Sequence, residues 1–201
     1  MSRLVLILIF VSLSACFTSG KRGTEKGLAI YDLGPPAASR LADERKMPLA
    51  VEVRAPLWMD SLGVNYRLVY ADASRLHEYS RVRWAGPPAQ MIQQRLMQQL
   101  DLSPTGQARS RCVLRVEISE FTQVFVSPGS SKGVLRGRVH WLDQARHQLA
   151  EVNLDIEKVA DSQDAQGGIG ALRATVEQLA VDLQTWEKHL AASGKAGSCS
   201  G

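Results

Sequence analysis

The feature that most narrows the choice of fold lies near the end of the chain. Ile169, Leu172, Val176, Leu179, Leu183, Trp186 and Leu190 follow one another at alternating steps of three and four residues, which places all seven on one face of an α-helix. A helix of this kind is held by whatever covers its apolar stripe rather than by its own hydrogen bonds. The cover is either another helix, as in a coiled coil of three heptads, or a sheet in the same chain. The rest of the chain favours the sheet, because its apolar residues recur with period two. Ala50 to Arg54 alternates apolar and charged residues and stops at Pro56, a strand with one wet face. Asp60 to Gly63 makes a turn, Val64, Tyr66, Leu68 and Tyr70 line one face of a second strand, and Leu76 to Trp84 returns as a third, a hairpin.

Pro87 and Pro88 suit the first turn of a helix, and Met91, Ile92, Leu96 and Leu100 then recur at helical spacing, so residues 87–100 are read as a helix. Its other face carries Gln90, Gln93, Gln94, Gln98 and Gln99, either plain solvent surface or a partner surface. Cys112 to Val126 is β-branched and aromatic, and its alternation shifts phase at Phe121 and Phe125, as in a long, bulged strand. A turn at 127–133 leads to a strand with Leu135, Val139 and Trp141 on one face. Val152, Leu154 and Ile156 mark another strand, and 160–168 is read as a loop with a flexible Gly167-Gly168-Ile169-Gly170. With 201 residues, 45% of them hydrophobic, the chain suffices for one domain with a true core. The expected fold is α+β, a mainly antiparallel β-sheet covered on one side by two amphipathic helices.

The N-terminus addresses location. Arg3 precedes an apolar run from Leu4 to Leu13, and Leu13-Ser14-Ala15-Cys16 closes it. This is the pattern of a signal peptide over residues 1–15; ten residues are half of the roughly 20 a spanning helix needs. The last four residues resemble the lipobox of bacterial lipoproteins, which implies lipidation of Cys16. Phe17 rather than Asp follows the cysteine, which by the same resemblance implies delivery to the outer membrane. Residues 16–27 then form a polar, glycine-containing tether, 28–192 the domain, and 193–201 a flexible tail. Fully extended, the eleven residues after Cys16 reach about 36 Å. In an exported protein Cys112 and Cys199 can form a disulfide; alternatively Cys112 is a buried thiol on a strand and Cys199 lies loose in a Gly/Ser tail.

The residues give no sign of catalysis. There is no Gly-x-Ser-x-Gly elbow, no Cys-x-x-Cys, and the glycines before the last helix lack the Lys-Ser/Thr that grips phosphate. His140 and His147 lack further ligands at metal spacing, and Glu117 with Glu120, or Asp155 with Glu157, fall on solvated strand faces. The 24 basic and 20 acidic residues, net +4, form no long single-sign block, so no nucleic-acid footprint is expected. Neither cofactor nor metal is expected.

Several segments in order resemble the ABC-type transport auxiliary lipoproteins, the PqiC-like family found with MCE-domain lipid transport systems. They are the lipobox at Cys16, Tyr31-Asp32-Leu33, Val51 to Pro56 followed by Asn65-Tyr66-Arg67, Tyr79 to Pro88 with its Arg83-Trp84-Ala85-Gly86-Pro87-Pro88, the strand with Phe121 and the final helix. The resemblance spans nearly all of residues 31–190. It implies a non-catalytic lipoprotein of the outer membrane, facing the periplasm and anchored by lipid. Its implied partners are an MCE-domain protein and an ABC permease/ATPase complex, it works as a homo-oligomer, and it docks a periplasmic phospholipid-transport assembly. The alternative function is an accessory lipoprotein that assembles other envelope proteins. Trp84, Pro87 and Pro88 are either an exposed partner contact or a buried strand-to-helix corner.

Overall fold

The computed structural model describes residues 27–36, 49–106, 110–195 and 199. The signal peptide, Cys16 and the tether up to residue 26 lie outside them. Among the described residues eight strands form one sheet: β1 (Ala29–Tyr31), β2 (Leu49–Arg54), β3 (Gly63–Leu68), β4 (Asp72–Trp84), β5 (Ser103–Pro104), β6 (Cys112–Ser127), β7 (Ser130–Asp143) and β8 (Gln148–Val159). Two helices, α1 (Pro88–Leu100) and α2 (Ala165–Ala192), complete an α+β domain.

The long strand β6 is the axis. On one edge it pairs antiparallel with β7, which pairs in turn with β8. Its other edge is shared: β2 runs parallel to it from Leu49 opposite Cys112 to Arg54 opposite Glu117, and β3 from Tyr66 opposite Gln123 to Leu68 opposite Phe125. β2 and β3 thus lie one after the other along the same edge, and residues 55–62 make an excursion between them. Across β6 the ladder to β7 shifts register between Ile118 and Glu120. This is the bulge that the change of apolar phase at Phe121 predicts.

Before the bulge Cys112, Leu114, Val116 and Ile118 face the helices, and after it Phe121 does. α1 lies on β2, α2 on β6, β7 and β8, and the helices touch each other, so both cover one face over a single core. α2 approaches β7 closely at Gly133, where a Cβ would stand 2.6 Å from the backbone of Ala171 and Leu172. The opposite face holds the small apolar cluster of Ala50, Val113 and Leu142, buried Thr122, Val124 and Val134, and many ion pairs.

Four details depart from the sequence reading. The turn read at 127–133 is only the two residues between Ser127 and Ser130, so Gly133 lies in β7. β1 and β5, of three and two residues, are too short to show a period. Several pairings of the sheet are parallel, which local alternation cannot reveal. Finally, α2 begins at Ala165, inside the segment read as a loop. Asp164 caps it, its carboxylate accepting from the Gly167 N–H (2.9 Å) and the Ser162 hydroxyl (2.7 Å), and those hydrogen bonds hold its pKa below the usual carboxylate range. Gly167 and Gly168 are not a flexible stretch: both are buried in the first turns, against Ser162 and Gln123, where side chains would not fit.

Candidate functional site

The open face of the sheet is a lattice of opposite charges. Glu52 takes Arg115, Arg54 (3.4 Å) and Arg146 (3.2 Å). Burial alone would raise the Glu52 carboxyl, but the Arg115 hydrogen bond and the charges of Arg115, Arg54 and Arg146 outweigh it and hold the pKa low. Glu120 takes Arg67 (3.3 Å) and Arg136 (2.8 Å), and Arg136 reaches Asp155 and Glu157 as well. Glu117 and Glu120 therefore do not act together: the first faces His140 (3.5 Å), the second the arginines. His140 and His147 are also separate, His140 lying beside Glu151 (3.3 Å) and His147 beside Asp143 (3.2 Å). Among the described residues no group of three or more His, Cys, Asp or Glu is placed to hold a metal ion.

Two polar clusters sit beneath the helices. Gln123 accepts from the Tyr79 hydroxyl (2.8 Å) and donates to Ser131 (2.8 Å) under Gly168; burial, chiefly, raises the Tyr79 pKa. Arg95 of α1, only 4% exposed, ion-pairs with Glu177 of α2 and donates to the carbonyls of Leu33 (2.6 Å) and Gly34. It thereby ties both helices to the chain after β1. The glutamine-rich face of α1 divides accordingly: Gln90, Gln94 and Gln98 are exposed, Gln93 accepts from the Val53 N–H (2.9 Å), and Gln99 is buried against Glu177. Both clusters are structural ties between elements.

Of the two readings offered for Trp84, Pro87 and Pro88, the structure takes the buried corner and corrects the exposed partner contact for Trp84. Trp84 is 1% exposed, packed on Phe121 with ring centroids 5.8 Å apart, and Pro88 beside it is buried while Pro87 is half-buried as the residue before α1. It shares a face of β4 with Val82 and belongs to the core, so it offers nothing to a partner. The exposed tryptophan is Trp58, in the excursion between β2 and β3. There Pro56 opens a single 3-10 turn (Leu57–Met59) closed by the bonds Met59 N–H to Pro56 O (2.9 Å) and Asp60 N–H to Leu57 O (3.1 Å). Met59 turns inward, while Leu57 is 87% and Trp58 46% exposed and Leu62 is exposed too. A signal was present in the sequence: the three large apolar residues Leu57, Trp58 and Met59 between Pro56 and Asp60, with no periodic partner. At the base of this knuckle a groove of about 480 Å³ is lined by Arg54, Pro56, Glu117, Ile118, Ser119 and Arg138, among others.

Cys112 and Cys199 are joined, with their Cα atoms 5.5 Å apart. Cys199 is buried and the Trp141 indole N–H points at its sulfur (3.1 Å), so the segment read as a loose tail returns to the core at this residue.

A family model for the ABC-type transport auxiliary lipoprotein component matches residues 31–184. The chain belongs to this family. The match covers every described element from Tyr31 of β1 to most of α2, and it makes this protein a lipoprotein component of an ABC transport system, working at the cell envelope. Solved structures share the fold of this auxiliary lipoprotein. One is a crystal structure of protein XCC0632 from Xanthomonas campestris, assigned to DUF330, with a TM-score of 0.63 at 16% identity over 86% of this chain and 95% of the other. Another, of an uncharacterized protein, has a TM-score of 0.62 at 15% identity over 78% and 96%. No curated protein matches the chain. Among the described residues of the auxiliary lipoprotein no helix is long and apolar enough to cross a membrane.

Proposed function

We propose that this auxiliary lipoprotein is acylated at Cys16, anchored in the outer membrane facing the periplasm, and docks the distal end of an ABC/MCE-type phospholipid-transport assembly there without catalysing a reaction. The observation that carries the reading is the family match over residues 31–184 in a chain whose first residues end in Leu13-Ser14-Ala15-Cys16. A diacylated cysteine is a durable anchor, since two chains hold where one is marginal. Phe17 in place of Asp supports the outer membrane as its destination. The partners are an MCE-domain protein and the ABC permease and ATPase.

The subunit works as a homo-oligomer in this reading. Two strand edges support it: among the described residues, β8 pairs only with β7, and β1 covers only residues 82–84 of the outer edge of β4. Open edges present unpaired N–H and C=O groups that a neighbouring copy can use.

Co-purification of the tagged protein from gently solubilised membranes, with mass spectrometry of its partners and of Cys16, tests the reading. Acylated Cys16 together with MCE and permease subunits is expected. Acylated Cys16 with unrelated envelope proteins would overturn the transport role in favour of an accessory lipoprotein for assembly, and an unmodified Cys16 would overturn the anchor.

A further inference from the structure

We infer that the knuckle of residues 56–62 and the groove at its base form a contact site for the phospholipid bilayer that holds the protein's own anchor, with Leu57, Trp58 and Leu62 entering the interfacial layer. The inference rests on acylation of Cys16 as proposed above.

The shape argues first. Leu57 and Trp58 stand on a hydrogen-bonded turn pinned from below by buried Met59, so the apolar side chains are presented by a fixed scaffold. A connection between two strands on one edge needs no large apolar residues, and exposed Leu-Trp-Leu at a convex tip costs solvation unless something covers it. Trp suits the boundary between headgroups and acyl chains because one end of its ring is apolar and the other donates a hydrogen bond.

Charge names the cover. Arg54 and Arg138 line the groove beside the knuckle and are exposed. Arg138 meets Glu151 only at 4.0 Å, and Arg54 is the more exposed partner of a Glu52 (3.4 Å) that Arg115 and Arg146 also hold; pairs with an exposed partner bind weakly, which leaves both guanidinium groups available to phosphodiester oxygens. Glu117 lines the same groove and can take the ammonium of a phosphatidylethanolamine headgroup.

The chain outside the structure ends within reach. β1 pairs with β4 from Ala29 opposite Val82 to Tyr31 opposite Trp84, and the Trp84 N–H donates to the Leu62 carbonyl (2.7 Å). With strands spaced roughly 4.8 Å apart and rising about 3.3 Å per residue, the start of the domain lies on the order of 15 Å from the knuckle, inside the roughly 36 Å that the tether spans. An anchored protein meets the bilayer at high effective concentration, so a shallow insertion of three side chains suffices.

The test uses the acylated full-length protein reconstituted in vesicles of phosphatidylethanolamine and phosphatidylglycerol containing lipids brominated near the glycerol end of their acyl chains. Trp58 is the one exposed tryptophan of four; Trp84 and Trp141 are buried and Trp186 half-buried. Brominated lipid is expected to quench tryptophan emission, the quenching to vanish in Trp58→Ser with unchanged circular dichroism, and to weaken in Arg54→Gln/Arg138→Gln. Quenching that persists in Trp58→Ser, or none in the wild type, overturns the inference. If quenching is absent and Trp58→Ser loses its co-purifying protein, the knuckle is a protein contact and the bilayer site is overturned while the transport reading stands. Mass spectrometry of Cys16 on the same sample separates a failed anchor from a failed knuckle.

Discussion

Alanine in place of glycine should act with opposite signs at Gly133 and Gly170, and the contrast tests how α2 sits on the sheet. A Cβ at Gly133 would lie 2.6 Å from the backbone carbon of Ala171 and nitrogen of Leu172, where ordinary contact begins at 3.4 Å. These are main-chain atoms of a helix, so no side chain can swing aside, and α2 must retreat by roughly 0.8 Å. A radial gap of that size forfeits about a quarter to a half of each contact's dispersion energy, and the contacts belong to fully buried Leu172, Val176 and Leu179. Overpacking of this kind costs about 1–3 kcal/mol, against a gain of roughly 0.5–1 kcal/mol from removing a glycine from a strand. Gly133→Ala should therefore destabilise by about 1–2 kcal/mol and lower Tm by roughly 2–8 °C in a domain of this size. Gly170 sits in α2 with open space around its would-be Cβ. Gly170→Ala should stabilise by up to ~1 kcal/mol and raise Tm. Calorimetric unfolding of both variants decides: shifts of the same sign, or a Gly133→Ala protein as stable as the parent, would refute the seating of α2 against β7.

Three further outcomes follow from the same contacts. The Cys112–Cys199 bond closes a loop with a separation of 87 residues, for which the chain-entropy relation gives about 4–5 kcal/mol; reductant should lower the urea midpoint of the wild type to that of Cys199→Ser and leave the variant unmoved, and a wild-type midpoint insensitive to reductant would remove the bond. Arg95→Ala deprives Glu177 and the Leu33 and Gly34 carbonyls of their donor and should cost about 2–3 kcal/mol by urea unfolding; wild-type stability would show that the link between the helices is idle. Glu52 has its folded-state pKa held below the ordinary 4.5, so the stabilisation is complete above that value and lost as pH falls through the lower, folded one. Glu52→Gln should then be less stable than wild type near neutrality and lose the difference in acid; a gap that stays constant with pH would contradict the sign.

How far the sequence could be read varies with the range of the interaction. The stripe from Ile169 to Leu190 and the alternations at Cys112 to Val126 and Val152 to Ile156 became α2, β6 and β8, because burial of one face imposes its period on neighbouring residues. The phase change at Phe121 marked a bulge that the register confirms. The same reasoning left Trp84 open between surface and core, and it passed over Trp58. Both are large aromatics within three residues of a proline, and only the path of the chain around β6 turns one into the core and the other out.

By itself the sequence determined the α+β class and the helical and strand faces, all set by patterns within a few residues. Tertiary structure alone decided what depends on residues far apart. It placed β2 and β3 in parallel on one edge of β6, joined Cys112 to Cys199, tied α1 to α2 through Arg95 and Glu177, and pushed Leu57 and Trp58 outward. Each is a pairing between segments whose local patterns are the same whether or not they meet, so nothing short of the packed chain records it.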